Sequence, residues 1–284
     1  MIFIKHIQFQ QLINLLLLLI LGYQNSTLQT SWLNIVALML FSGAVELIIK
    51  KELFIPYSAF ITALGVVLMV GWLKWYIPYI IIALAILQKH YLKVANSHIF
   101  NPSNFALIVA IFLFYPKALP IVGELGKESF IVYFVILIGS LILVRVNRYP
   151  ITISFLIAYT ILNYIVISQI DTTWSFEHYV SNLYSTSFIV FIFFMLTDPK
   201  TTPNSTLQQI YFGALVASLI VALNYFIGIR VWNQFLGLFL SSILFTPLYK
   251  KLSKRDYIYF TITLIISLIL TLQISSKAPI YFSM

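Results

Sequence analysis

Apolar runs close to the length needed to cross a hydrocarbon core, about 17 to 25 residues, follow one another along almost the whole of this 284-residue chain. They can be drawn at 7–23, 31–49, 54–73, 75–91, 102–116, 129–146, 150–168, 180–197, 208–228, 231–248 and 256–274. The remaining sequence is too short and too sparsely polar to clothe a soluble domain: 61% of residues are hydrophobic and only 9% charged. In lipid a backbone must satisfy its own hydrogen bonds, which a helix does alone. The expected fold class is therefore an all-α polytopic membrane protein of ten to eleven transmembrane helices. The first run has no small-residue cleavage site and reads as a span rather than a signal peptide.

Basic residues in short loops favour the cytoplasmic side. With the N-terminus inside, twelve of the 17 basic residues fall in inner loops, among them Lys50, Lys89, Lys93, Arg145, Arg148, Lys200 and Lys250. Lys74, Lys117, Lys127, Arg230 and Lys277 fall outside. The expectation is a multi-pass protein of the bacterial inner (cytoplasmic) membrane with a cytoplasmic N-terminus. The net charge of +9 is then a topology signal and an attraction to anionic lipid, with no nucleic-acid partner.

The chain has no cysteine and four histidines. It supplies no iron–sulfur thiolates, no c-type haem attachment and no disulfide, and no His and carboxylate cluster shows metal-ligand spacing. Any redox cofactor is expected to be organic.

A faint internal repeat aligns Pro56-Tyr-Ser-Ala-Phe-Ile-Thr-Ala-Leu64 with Leu183-Tyr-Ser-Thr-Ser-Phe-Ile-Val-Phe191, and Asn104-Phe105 with Asn233-Gln-Phe235. Five spans per copy is an odd number, so the second copy must lie inverted, an arrangement that places binding sites where two repeats meet. The division expected is residues 1–126 and 127–255 for two inverted five-helix repeats, with 256–284 an additional helix and outer tail.

Two polar strings interrupt the apolar chain, His98-Ile-Phe-Asn-Pro-Ser-Asn-Phe-Ala-Leu107 and Thr197-Asp-Pro-Lys-Thr-Thr-Pro203. On the topology above, Tyr57 and Ser58, Asn101 to Asn104, and Asp198 to Pro203 all reach the inner end of the bundle. Polar groups near membrane depth line cavities or hold ligands, and two helix N-termini there suit an anionic or electron-rich one. Capping alone accounts for part of this pattern, Asn101-Pro102 being an N-cap with proline in the first turn. It does not account for Asn104, or for Lys200 and paired threonines beside Asp198. Glu46 reads as an i, i+4 partner of Lys50. Tyr57, Phe60, Phe100, Phe105, Tyr184 and Phe188 are available for stacking on a flat ring.

The strings FIPYSAFITAL, KVANSHIFNPSNFALIV and FFMLTDPKTTPNS resemble the RnfD/NqrB family of membrane subunits from flavin-dependent electron-transport complexes, and most of all its RnfD-like (UnbU-type) branch, from about Phe54 to Pro247. The resemblance implies a ten-helix core of two inverted repeats, a bound flavin, and electron transfer across the membrane with partner redox subunits. The family carries FMN on a threonine in a Gly-x-x-Gly-Glu-Thr-Ser stretch; the corresponding residues here are Gly123-Glu-Leu-Gly-Lys-Glu-Ser129. Glu128 stands where the threonine belongs, and a carboxylate cannot form that phosphoester. The flavin expected is therefore riboflavin or FMN held non-covalently, by Tyr57, Ser58, Asn101, Ser103, Asn104, Asp198, Lys200 and Thr201, with Ser129 a shifted candidate for a covalent link. The chain is at most a subunit of a flavin-dependent membrane oxidoreductase. The alternative is an inverted-repeat transporter or channel for a small solute, without redox work.

Overall fold

The computed structural model describes residues 2–24, 30–121, 129–169, 183, 186–228 and 232–277. Eleven helical segments occupy them: α1 (Ile2–Gln24), α2 (Trp32–Lys50), α3 (Tyr57–Met69), α4 (Ile77–Tyr91), α5 (Pro102–Phe114), α6 (Ser129–Val146), α7 (Tyr149–Gln169), α8 (Thr186–Val190), α9 (Thr206–Tyr225), α10 (Asn233–Tyr249) and α11 (Lys254–Lys277). The chain is an all-α membrane protein: α2, α7, α9 and α11 are long and apolar enough to cross a bilayer. Large apolar side chains such as Leu40, Leu141, Ile157, Tyr211 and Ile266 stay exposed on the outside of the bundle, where lipid rather than water is the solvent.

Not every apolar run is one uninterrupted helix. α3 and α5 have 13 residues each, about 20 Å at 1.5 Å per residue, too short for a core about 30 Å thick. Each gives way to a short strand, β1 (Val70–Trp72) after α3 and β4 (Ala118–Pro120) after α5. The two pair antiparallel with Gly71 opposite Leu119, and the pairing is extended by Leu73 N–H to Lys117 O and Ile121 N–H to Met69 O, both 2.9 Å. The strands thus satisfy each other's backbone where helix is lost, as an apolar surrounding requires. The run 54–73 is therefore a helix-plus-strand composite, and in the run 102–116 the helix stops at Phe114, short of the strand that follows. After Val190 the chain winds through a π-helical turn, Phe191–Met195, closed by Leu196 N–H to Phe191 O at 2.9 Å.

A second ribbon, β2 (Lys93–Val94) and β3 (Ser97–His98), forms a two-residue hairpin through Ala95 and Asn96. Both turn residues have positive φ, 50° and 62°, as a type I′ turn demands. The hairpin is held by Lys250 Nζ donating to Ser97 Oγ (2.6 Å) and Ala95 N–H donating to Asp256 Oδ1 (3.4 Å). It delivers the chain to the start of α5 well below the end of the bundle. Ser103 lies against Gly65, eight residues and about 12 Å along α3 from Tyr57.

Three of the helix pairings recur in the two halves of the chain. α1 packs on α3, α2 on α4 and α4 on α5; α6 packs on α8, α7 on α9 and α9 on α10. Glycines permit the closest approaches: Gly213 of α9 faces Ile151 and Ser154 of α7, and Gly65 leaves no room for a Cβ beside Ser103, the small-residue packing that lets membrane helices touch. The Gly123–Glu128 stretch lies outside the described residues. Ser129 opens α6, and its side chain lies outside them too.

Gly65→Ala should lower stability by about 1–3 kcal/mol through overpacking, read as a lower melting temperature in detergent. Adding Ser103→Gly should restore most of it; no recovery would mean the helices do not meet at this point.

Candidate functional site

The two polar strings meet through side chains. Asn101 Oδ1 accepts from the backbone N–H groups of Ser103 (3.0 Å) and Asn104 (3.1 Å), capping α5, while its Nδ2 donates to Asp198 Oδ2 at 3.2 Å. Asp198 Oδ1 accepts the Lys200 N–H (3.0 Å), and its carbonyl accepts the hydroxyls of Thr202 (2.7 Å) and Thr201 (3.3 Å). His98 Nε2 stands 3.9 Å from Asp198 Oδ2, an ion-pair distance and not a hydrogen bond. Burial pushes the Asp198 carboxyl up, but His98, the Lys200 N–H and the Lys200 ammonium outweigh it and hold the group below the usual carboxylate range.

Arg148, 6% exposed, fixes the other side of this loop. Its Nε donates to Thr202 Oγ1 (2.9 Å), and one terminal nitrogen donates to Asn204 Oδ1 (2.6 Å) and the Pro199 carbonyl (3.3 Å). The planar guanidinium spreads several donors over one turn, which a lysine cannot do. The sequence reading assigned Arg148 only to topology, because nothing in Arg145-Val-Asn-Arg148 announces burial.

These groups ring a cavity of about 450 Å³. Ser58, Asn101, Ser103, Asp198 and Lys200 line it, joined by Gln8, Thr62, His98, Arg145, Arg148 and Asn204. Its deeper wall is apolar: Ile61, Leu68, Met69, Val190, Phe194 and Met195, the last three contributed by the end of α8 and its π-helical turn. Turns of this kind are frequent at functional sites. The arrangement is an apolar slot with a polar, net basic rim.

Three expected residues lie elsewhere. Tyr57 faces a neighbouring cavity. Asn104, 1% exposed, donates to the Phe235 carbonyl at 3.1 Å and so joins α5 to α10. Thr201 is buried, and its carbonyl accepts the Tyr249 hydroxyl at 2.9 Å. The aromatic residues also differ from expectation. Phe100 stacks on Phe239 with centroids 4.4 Å apart, and Phe188 packs beside Phe155 and Tyr159; Tyr184 lies outside the described residues. Among the described residues the phenyl ring lining the cavity is that of Phe194.

Residues 120–229, somewhat under half of the chain, match the model of the NQR2, RnfD, RnfE family. Over that stretch the chain is similar to this family. No curated protein matches it. NQR2/RnfD/RnfE proteins are bacterial inner-membrane subunits of multi-subunit electron-transport complexes. The family stretch supplies Arg148, Val190, Phe194 and the Asp198–Asn204 turn to the cavity. Ser58, Asn101 and Ser103 come from before it.

Lys250 follows α10 and is half-buried. Burial pulls its ammonium down to about 8, with the Asp198 carboxylate opposing. The unfolded chain then holds more protons than the folded one between about pH 8 and the ordinary lysine value, so stability rises with pH across that window. Melting followed by tryptophan fluorescence should show this rise, and Lys250→Gln should flatten it; an unchanged slope in the variant would assign the rise to other groups.

Proposed function

We propose that this chain is an electron-transport subunit holding a flavin, riboflavin or FMN, non-covalently in the 450 Å³ cavity. The observation that carries this reading is the pairing of an apolar slot with a rim of convergent polar groups, the general form of a cofactor site. Ser58, Asn101, Asp198 and Lys200 offer hydroxyl, amide, carboxylate and ammonium partners for the carbonyls and nitrogens of a polar ring. Ile61, Leu68, Val190, Met195 and Phe194 offer the apolar faces it stacks between. The donor set therefore fits a flavin. When bound, a flavin supplies reversible one- and two-electron chemistry. The chain's own part is to orient the ring, exclude water from its faces and hold positive charge at the rim. Lys200 and Arg148 favour a cofactor that gains negative charge on reduction, and the inward N-terminus of α5 adds to that field.

In this reading residues 1–126 and 127–255 are two inverted five-helix repeats, and partner redox subunits deliver and remove the electrons. The three recurring helix pairings support the division. The face carrying Lys50, Lys93, Arg148, Lys200 and Lys250 is cytoplasmic, as the basic-residue bias favours.

Asp198→Ala combined with Lys200→Ala should lower the flavin-to-protein ratio at least about tenfold, a loss of roughly 1.4 kcal/mol or more, with an unchanged size-exclusion profile. Full flavin content in that variant would sink the site. Because the chain has no cysteine, single Lys74→Cys and Lys93→Cys substitutions report orientation directly. An impermeant maleimide applied to intact cells should label only the first; labelling of only the second would invert the topology.

A further inference from the structure

Beside the proposed flavin cavity lies a second one of about 580 Å³. Lys50, Lys89, Lys93 and Lys200 line it, with His90 and His98, against one carboxylate, Glu46. Glu46 is 1% exposed and already engaged: Lys89 Nζ lies 3.1 Å from it, His90 Nε2 3.4 Å and Lys50 Nζ 3.5 Å. The sequence reading found only the Lys50 contact, the local one. Lys89 also donates to Ser58 Oγ at 3.0 Å. Glu46 carries one negative charge against four ammonium groups, Asp198 of the adjoining cavity attracts Lys200 and His98, and Lys93 and Lys200 make no ion pair within 4 Å among the described residues. The His98 side chain is 7% exposed, and its Nε2, 3.9 Å from Asp198 Oδ2, has no hydrogen-bond partner among those residues.

Like charges gathered around a partly enclosed space repel one another, and an anion placed among them removes that repulsion. The cations come from α2, α4, the β2–β3 hairpin and the loop after α8, so they surround the space rather than fork toward one point. That suits a group with several acceptor oxygens and two negative charges, such as a phosphate monoester. The two cavities share Gln8, Ser58, His98 and Lys200 as lining residues, so they lie side by side.

We propose that the second cavity binds the phosphate of an organic phosphate ester whose ring lies in the first cavity, so that the protein selects a phosphorylated flavin over riboflavin. The proposal rests on the flavin reading above. It differs from a covalent attachment because no bond is made to the protein: the phosphate is held by Lys50, Lys93, Lys200 and His98 alone.

The test is a fluorescence titration of the full-length, flavin-stripped protein with FMN and with riboflavin. FMN should bind about tenfold or more tightly, the scale of losing charge-assisted contacts to a phosphate. Lys50→Gln with Lys93→Gln should bring FMN affinity down to that of riboflavin and leave riboflavin affinity unchanged, since Glu46 keeps Lys89 as its partner. Inorganic phosphate should weaken FMN binding alone. Equal affinities in the unsubstituted protein would overturn the phosphate assignment and leave the flavin reading standing; binding of neither flavin would overturn both. Displacement of FMN by phosphatidylglycerol vesicles, with inorganic phosphate ineffective, would assign the cavity to a lipid headgroup and also overturn the proposal.

Discussion

One asparagine hydrogen-bonds the two polar strings of this protein together. Asn101 uses its carbonyl oxygen to cap α5 and its amide nitrogen to hold Asp198, while Asp198 organises the turn that Arg148 locks from the other side. Ninety-seven residues separate the two partners of that contact. Among the described residues it is the hydrogen bond that ties the start of α5 to the loop after α8, with the longer His98–Asp198 ion pair beside it, and the rim of the cavity between them is built on it. A buried amide and carboxylate that satisfy one another are far less costly than either alone, so the contact is self-enforcing: losing one side leaves the other stranded at membrane depth.

The second constraint is the bilayer itself. α5 begins about 12 Å along α3 rather than at the bundle's end, and that recess exists because the β2–β3 hairpin carries the chain inward and Gly65 makes room for Ser103. Starting deep, α5 ends early, and the shortfall is made up by β4 pairing with β1. Fold and site are thus one feature: the interruptions that create a polar recess are the same ones that demand compensating strands. Irregular backbone at this depth is tolerated where it lines a cavity, which is where the β3–α5 connection lies.

Most of the helical plan was legible in the sequence because apolar length and basic loops are strong, additive signals. The convergence of Asn101 with Asp198 was legible as well, from polar residues that capping could not fully explain. The breaks in α3 and α5 were not, since Val70-Gly-Trp and Ala118-Leu-Pro are as apolar as the helices before them and strand pairing is a contact between distant segments. Arg148 and Lys89 were hidden for a similar reason. A basic residue at a helix end reads as an anchor, and only tertiary packing reveals that one organises a turn while the other pairs with Glu46. Asn104 shows the converse: its position one turn into α5 suggested a ligand contact, whereas its amide holds the Phe235 carbonyl of α10. The faint echo between Asn104-Phe105 and Asn233-Gln-Phe235 thus joins two segments that touch.

A recess that holds an organic redox cofactor without a covalent bond, as proposed above, must release that cofactor when the protein unfolds. The most direct test is the visible absorption spectrum of detergent-purified protein, recorded before and after acid precipitation and during reduction with dithionite. The expected result is a flavin spectrum that bleaches on reduction and passes wholly into the acid supernatant. Colour retained in the protein pellet would contradict non-covalent binding, and a colourless, well-folded sample that takes up no added flavin would contradict the redox role of the cavity.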